Sequence, residues 1–181
     1  YGGRIVSVEP LDSAFAALSA RASKDNLWVA LQNGVGAAPG AIDINVSANS
    51  YSSSVLDMND AHLHAAPDSR YVGIQQIELT TVIHLIEQQH IDPAACLLKV
   101  DTQGYESQVL AGAGPVLDKI AAVQLELSFV ELYAGQDLFD DHVAALRKRG
   151  FALWSLDPGI SAPDGRLLQC DGLFLRPGGA A

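Results

Sequence analysis

Apolar and polar residues follow two different periods along the chain, and their alternation predicts both strands and helices. Short runs of consecutive or alternating apolar residues predict strands at positions 4–8, 27–32, 71–79, 96–100, 121–127, 151–156 and 167–175. The alternating segment 41–46 lies in a region rich in Gly, Ala, Asn and Ser and predicts a hairpin or a surface excursion. Apolar residues spaced three and four positions apart predict helices at positions 12–24, 81–89, 106–111 and 140–149. The alternating order predicts an α/β fold with a mainly parallel sheet and antiparallel C-terminal strands.

Composition narrows the class of protein without naming its chemistry. The chain has 181 residues, of which 49% are hydrophobic, enough for one domain over 1–181 with a substantial core. Its net charge of −10 repels phosphate backbones and anionic headgroups, so we expect no nucleic-acid partner. No apolar segment approaches the roughly 20 residues that cross a bilayer, so we expect no membrane insertion and a cytoplasmic location.

The residues that commonly bind metals or form disulfides are scattered. Cys96 and Cys170 lie in separate apolar stretches and lack the close spacing of a metal or redox pair. His62 and His64 are two positions apart in a segment rich in Asp and Asn, which predicts a loop with at most weak metal affinity. We therefore expect no metal site and two reduced cysteines.

Three carboxylates share one position in the predicted architecture. Glu9, Asp101 and Glu126 each lie at or near the C-terminal end of an apolar strand, the edge of an open α/β sheet where ligands bind. Each also has a purely structural explanation. Glu9 could be a solvated loop residue, Asp101 a helix-capping acid and Glu126 half of an ion pair at the sheet edge.

Several longer stretches favour a functional interpretation of these acids. The chain resembles the FkbM family of S-adenosylmethionine-dependent methyltransferases over nearly its whole length. The matching stretches, in the family's order, are IVSVEP, NSYSSSVLDM, LLKVDTQGYESQVLAGA, QLELSFVELYAGQDLF and LDPGISAPDGRLLQCDGLFLR. A generic Rossmann domain would share only the first of them.

The resemblance implies a cofactor, S-adenosylmethionine, and a role for each matching residue. Glu9 corresponds to the acid that holds the cofactor ribose, and Gly34 and Val35 correspond to the strand end where the adenine lies. Asp101 corresponds to an acid close to the sulfonium methyl, and Glu126 to an acid on the acceptor side. The implied reaction is methyl transfer to a hydroxyl of a sugar, glycan or polyketide-like metabolite.

Methyl transfer to an alcohol needs a base, because an alcohol is not ionised at neutral pH. Asp101 is the first choice for this base and Glu126 the second. Lys99 could pair with a neighbouring acid, but we favour a side chain that extends from the strand edge into solvent.

One expected element has no counterpart in the sequence. Methyltransferases of this kind hold the methionine end of the cofactor with a glycine-rich turn after a first strand, and no such strand precedes Tyr1. We expect a Rossmann-like sheet that lacks this strand, with edges that residues upstream of Tyr1 or a partner chain in a homo-oligomer would pair. Two other functions stay open: a non-catalytic methyltransferase-like module, and an NAD-dependent oxidoreductase.

Overall fold

The computed structural model describes residues 2–177, in which strands and helices alternate. The strands of this region are Ile5–Val8 (β1), Trp28–Leu31 (β2), Gly34–Val35 (β3), Gly40–Ser47 (β4), Tyr71–Thr80 (β5), Leu97–Val100 (β6), Ala122–Ser128 (β7), Ala152–Pro158 (β8) and Gln169–Leu175 (β9). The α-helices are Asp12–Ala22 (α1), Asp60–Ala65 (α2), Val82–Gln88 (α3), Glu106–Ala113 (α4) and Phe139–Lys148 (α5). Short 3-10 helices lie at Pro67–Ser69, Pro93–Ala95 and Gly114–Lys119.

The predicted strands and the four predicted helices are confirmed, with ends that shift by a few residues. Helix α5 shows why such elements are readable from sequence. Asp140 and Asp141 lie in its first turn, and Arg147 and Lys148 in its last, where each charge opposes the helix dipole.

The prediction of a loop around His62 is wrong, because residues 60–65 form helix α2. The ring of His62 is 1% exposed and packs against the ring of Tyr133, with the two ring centroids 5.0 Å apart. A contact between positions so far apart in the chain leaves no local signal in the sequence. Tertiary packing therefore explains the difference.

The strands form a mixed arrangement rather than a mainly parallel sheet. β1 pairs with β2 in parallel, β5 lies between β3 and β4, and β6, β7, β9 and β8 form a four-stranded sheet in that order. The pairings β1–β2, β3–β5 and β6–β7 are parallel, whereas β4–β5, β7–β9 and β8–β9 are antiparallel. The antiparallel C-terminal strands are confirmed, but antiparallel pairing is more extensive than predicted because the 33–54 region contributes β4, which pairs along β5.

The largest core cluster lies on one face of the four-stranded sheet. Val123, Leu125 and Leu127 of β7 are fully buried, and they pack with apolar residues of α3, α4 and α5. Alternate positions of β7, such as Glu126, project from the other face. The same strand therefore anchors the core and presents a carboxyl group at its C-terminal end.

Candidate functional site

Two parallel strands place Asp101 and Glu126 side by side. Val100 of β6 lies opposite Leu125 of β7, so the next residues along the two strands, Asp101 and Glu126, meet at one edge of the sheet. Val100 and Leu125 face the core. The two carboxyl groups consequently project from the opposite face, where Glu126 is partly buried and Asp101 is exposed.

A single amide joins the two carboxyl groups. Gln103 Nε2 donates hydrogen bonds to Asp101 Oδ1 over 2.9 Å and to Glu126 Oε2 over 2.7 Å. The backbone of Gln103 is in the left-handed region, with φ of 54°, which is uncommon for a residue other than glycine. This conformation occurs in the turn that connects β6 to α4.

Two buried hydroxyl groups from other parts of the chain hold Gln103 in place. The Tyr133 hydroxyl donates to Gln103 Oε1 over 2.7 Å, and the Ser54 hydroxyl donates to the Gln103 carbonyl oxygen over 2.6 Å. The adjacent Gly104 packs so closely that a Cβ there would lie 3.0 Å from Tyr133 Cβ and 3.2 Å from Leu56 Cδ1. The turn is thus enclosed by the segments that carry Ser54 and Tyr133.

Glu106 stabilises the same turn from its inner side. Its Oε1 accepts hydrogen bonds from Thr102 N, Thr102 Oγ1 and Gly104 N, and the residue is 3% exposed. Burial raises the pKa of Glu106, and these hydrogen bonds oppose that rise. With its known partners all in the turn, Glu106 serves the structure of the site rather than a ligand.

Lys99 pairs with Asp101, so the prediction of a solvent-directed lysine is wrong. Lys99 Nζ lies 3.1 Å from Asp101 Oδ2, and both side chains are about half exposed. The two residues lie two positions apart on the same side of the β6 edge, which brings their charges together. Because the pair is exposed, it contributes about 0–1 kcal/mol to stability.

Glu126 titrates far from the usual range of a carboxyl group. Burial is the main cause, and the nearby charges of Asp101 and Glu106 add to it, so that the pKa of Glu126 rises to about 9. The hydrogen bond from Gln103 opposes this rise. Glu126 is therefore protonated at neutral pH and can donate a hydrogen bond there.

Sequence reasoning found the two carboxylates and missed most of the residues that hold them. Gln103 follows β6 by three residues, and no local pattern in the sequence indicates its bridging role. Ser54 and Tyr133 lie 49 and 30 positions from Gln103, within two of the stretches that carry the family resemblance. Those stretches signalled proximity to a site, but only the fold identifies the two hydroxyl groups.

The residues expected to hold a cofactor lie on neighbouring elements. Glu9 follows β1 and is half-buried; its Oε1 accepts a hydrogen bond from Leu11 N over 2.9 Å. Burial raises the pKa of Glu9. Val35 of β3 faces a groove that also reaches Asp101, whereas a Cβ on Gly34 would meet the side chains of Leu79 and Ile77. Val35 and Asp101 thus share one space, and Gly34 packs beside it.

This groove, of about 770 Å³, runs between β1 and β6. The Arg4 guanidinium at the start of β1 donates to the carbonyl and side-chain oxygens of Gln89, close to the beginning of β6. At the other end of the groove lie Val8, Val35, Asp101 and Thr102. The two strands therefore flank the groove with their C-terminal ends at the same end as the carboxyl groups.

The part of the chain that the structure describes contains no group of three or more His, Cys, Asp and Glu side chains arranged to hold a metal ion. Cys96 and Cys170 are unpaired thiols. Among residues 2–177, no helix combines the length and apolar character needed to span a bilayer.

Comparison with known protein families identifies the family of the chain. A model described as the Methyltransferase FkbM domain matches residues 1–153. The chain belongs to the FkbM methyltransferase family. Searches of curated proteins and of solved structures gave no match.

The FkbM match confirms the resemblance drawn from the sequence and covers the candidate site. The matched residues include Glu9, Asp101, Gln103, Glu126 and Tyr133. Strand β9, which pairs with β7 and β8, lies beyond residue 153. The family match thus reaches the residues that hydrogen-bond to the carboxyl pair, whereas Asp171 of β9, which lies opposite Glu126, is beyond it.

Proposed function

We propose that this FkbM domain is an S-adenosylmethionine-dependent O-methyltransferase that acts on a hydroxyl group of a sugar, glycan or polyketide-like metabolite. Family membership supports methyl transfer. The observation that supports a hydroxyl acceptor is the pair of carboxyl groups, Asp101 and Glu126, which both accept hydrogen bonds from the side-chain amide of Gln103. An acceptor oxygen at this pair would meet a carboxylate and a protonated carboxyl group together.

The residues at one end of the groove fit the cofactor in chemistry. The cofactor would lie where β1 and β6 finish, beside Val35 and Asp101, and the length of the groove between the two strands is left for the strand proposed below. Glu9 uses Oε1 for Leu11 N, which leaves its other oxygen to accept from ribose hydroxyls. Val35 would contact the adenine beside Gly34, and Asp101 would lie towards the reacting end. When bound, the cofactor supplies an electrophilic methyl group on a sulfonium.

The two carboxyl groups would have different roles in the reaction because their surroundings differ. Asp101 is exposed and already accepts from Lys99 and Gln103, so it is the group suited to accept the proton of the acceptor hydroxyl. Asp101 would take the proton of the hydroxyl as the hydroxyl oxygen accepts the methyl group that the bound cofactor would supply. Glu126, protonated because its pKa is about 9, would orient the acceptor as a hydrogen-bond donor.

We also propose that the groove accepts one extended strand, from residues upstream of Tyr1. Ile5 N and Glu9 N donate to carbonyl groups of the β2 segment, so the N–H groups of Val6 and Val8 point the other way, into the groove. On β6, Cys96 and every second residue after it pair with β7, so the backbone N–H and C=O groups of Leu97 and Lys99 point into the groove. Two free strand edges on opposite sides of one groove match an extended backbone.

Calorimetric titration with S-adenosylhomocysteine tests the cofactor assignment. The titration would use this chain and a form extended upstream of Tyr1. We expect binding that is tighter in the extended form, and we expect Glu9→Gln to weaken it about tenfold. Glu78→Gln, a matched change at an exposed acid of β5, should leave it unchanged. Binding by neither form would support the non-catalytic module, and binding of NAD instead would support the oxidoreductase.

Turnover tests the role of Asp101. A panel of hydroxyl acceptors would be assayed by the release of S-adenosylhomocysteine. We expect Asp101→Asn to lower the rate at least 100-fold, because general-base catalysis contributes about 10²–10⁴-fold, while cofactor affinity stays within a factor of two or three. An unchanged rate would remove Asp101 from the mechanism.

A further inference from the structure

Gln103 occupies the centre of a hydrogen-bond network that links three separate segments of the chain. Its side-chain NH₂ contacts both carboxyl groups, its side-chain oxygen contacts the Tyr133 hydroxyl, and its backbone carbonyl contacts the Ser54 hydroxyl. The residue is only 8% exposed. Each polar group of its side chain therefore has a defined partner.

The chemistry of these partners fixes the orientation of the amide. A glutamine NH₂ has two hydrogens and its oxygen has none, so only this orientation offers a donor to each carboxyl group. A rotation of the amide by 180° would turn its oxygen towards two acidic groups and its NH₂ towards Tyr133. The Tyr133 hydroxyl is fully buried and opposes that rotation by donating to the amide oxygen over 2.7 Å. Its other acceptor, the carbonyl oxygen of Ser52, lies farther away at 3.3 Å.

The amide is the group that contacts both carboxyl groups. At neutral pH Glu126 is protonated, and the charges of Asp101 and Glu106 favour that neutral form, so the two groups do not repel each other as two carboxylates would. Lys99 contacts the other oxygen of Asp101 and does not join the two carboxyl groups. The Gln103 NH₂ is thus the group that holds the two carboxyl groups in one geometry.

We propose that Gln103 is a positioning residue that aligns Asp101 and Glu126 for the acceptor, and that Tyr133 sets the orientation of its amide. The alignment of the two carboxyl groups serves the proposed methyl transfer, so this role rests on the proposed function. The hydrogen-bond geometry itself can be tested in the free protein. A failure of the geometry is therefore distinguishable from a failure of the function.

The first experiment follows the Gln103 side-chain amide by NMR in the full ¹⁵N-labelled chain. We expect its NH₂ protons to exchange with solvent at least tenfold more slowly than those of the exposed Gln76. We also expect their chemical shifts to change with pH as Glu126 loses its proton. Exchange as fast as at Gln76, or shifts that do not respond to pH while a Glu126 carboxyl signal titrates, would overturn the proposal.

Two variants separate orientation from general packing. Tyr133→Phe should speed the exchange of the Gln103 NH₂ protons and move the titration midpoint of Glu126 upwards, because a rotated amide no longer donates to it. Tyr51→Phe removes a hydroxyl from an exposed side chain and should change neither quantity. Equal effects of the two variants would contradict the role of Tyr133.

Turnover then tests the purpose of the geometry. Gln103→Met preserves length and removes both donors, so we expect kcat to fall at least tenfold with little change in the cofactor Kd. Gln103→Asn keeps the amide on a shorter side chain and should recover part of the lost rate if it can still reach one carboxyl group. Full activity in Gln103→Met would exclude the positioning role even where the NMR geometry holds.

Discussion

At the scale of single residues, burial sets the protonation of Glu126 and thereby its effect on stability. The folded protein keeps a proton on Glu126 up to about pH 9, whereas the ordinary pKa of 4.5 applies in the unfolded chain. Between these values the folded state binds more protons than the unfolded state. The free energy of unfolding therefore falls as pH rises through this window.

Glu126→Gln should remove this dependence. A neutral amide needs no proton to remain buried, so we expect the variant to gain stability relative to the wild type by on the order of 1 kcal/mol for each pH unit from about 6 to 8. Urea unfolding at several pH values measures the effect. Glu87→Gln, at an exposed position of α3, serves as the control and should follow the wild type. Parallel curves for all three proteins would mean that Glu126 ionises normally.

His62 has the opposite effect on stability: its contribution to the free energy of unfolding rises with pH. Neither ring nitrogen has a hydrogen-bond partner, and burial lowers the pKa of His62 below its ordinary 6.5. The folded state therefore binds fewer protons than the unfolded state at mildly acidic pH. This contribution to stability is present above pH 6.5 and is lost as the pH falls towards the lowered value.

We expect His62→Phe to stabilise the protein, and more so at pH 5.5 than at pH 7.5. The change keeps an aromatic ring against Tyr133 and removes two unpaired buried polar atoms, each of which costs about 1–3 kcal/mol. Thermal unfolding at the two pH values measures the difference. His64→Phe places the same ring at an exposed position of α2 and should change stability little. A gain that did not depend on pH would show that His62 does not titrate in the folded protein.

At the scale of elements, the sequence predicts what local patterns encode. The charges at the ends of α5 and the apolar run of β6 are local, and both elements were predicted within a few residues. Asp101 and Glu126 were found because a strand end is also a local feature. Other features depend on residues far apart in the chain, and no local pattern of apolar residues predicts them. They are helix α2, the antiparallel β4–β5 pairing and the Gln103–Tyr133 contact.

Helix α4, which follows the candidate site, is positioned by a close contact between two glycines. A Cβ on Gly112 would lie 2.0 Å from the carbonyl oxygen of Gly36, beside β3. The atom that this Cβ would meet belongs to the backbone, so no flexible side chain can move aside to relieve the contact. The approach of α4 to this strand therefore requires a residue without a side chain at position 112.

Gly112→Ala should cost at least about 2 kcal/mol, because overpacking forces the backbone to shift. The sign is informative, since alanine in an unhindered helix would stabilise by about 0.5–1 kcal/mol over glycine. Gly73→Ala in β5, where a Cβ meets nothing within 4 Å, is the matched control and should not share this loss. Chemical unfolding of both variants measures the two effects. A stabilised Gly112→Ala protein would show that α4 lies farther from Gly36.

At the scale of the whole molecule, the groove between β1 and β6 separates strands that each have one neighbour. Ordinary sheets leave their edges at the periphery, but here two edges line an interior groove next to the candidate site. The backbone parity of the two strands directs alternate N–H groups into that space. Ile5 and Glu9 donate to the neighbouring β2 segment, and Val6 and Val8 do not share that orientation.

Hydrogen exchange can test directly which backbone N–H groups point into the groove. In the present chain we expect the amide protons of Val6, Val8 and Lys99 to exchange at least tenfold faster than those of Ile5 and Glu9, because they face the groove rather than a paired strand. In a form extended upstream of Tyr1, a strand inserted in the groove should protect all of them and slow their exchange. Protection of the groove-facing amides in the present chain would mean that the edges are already paired, by a second copy if the protection rises with protein concentration. Continued fast exchange in the extended form would show that the upstream residues do not enter the groove.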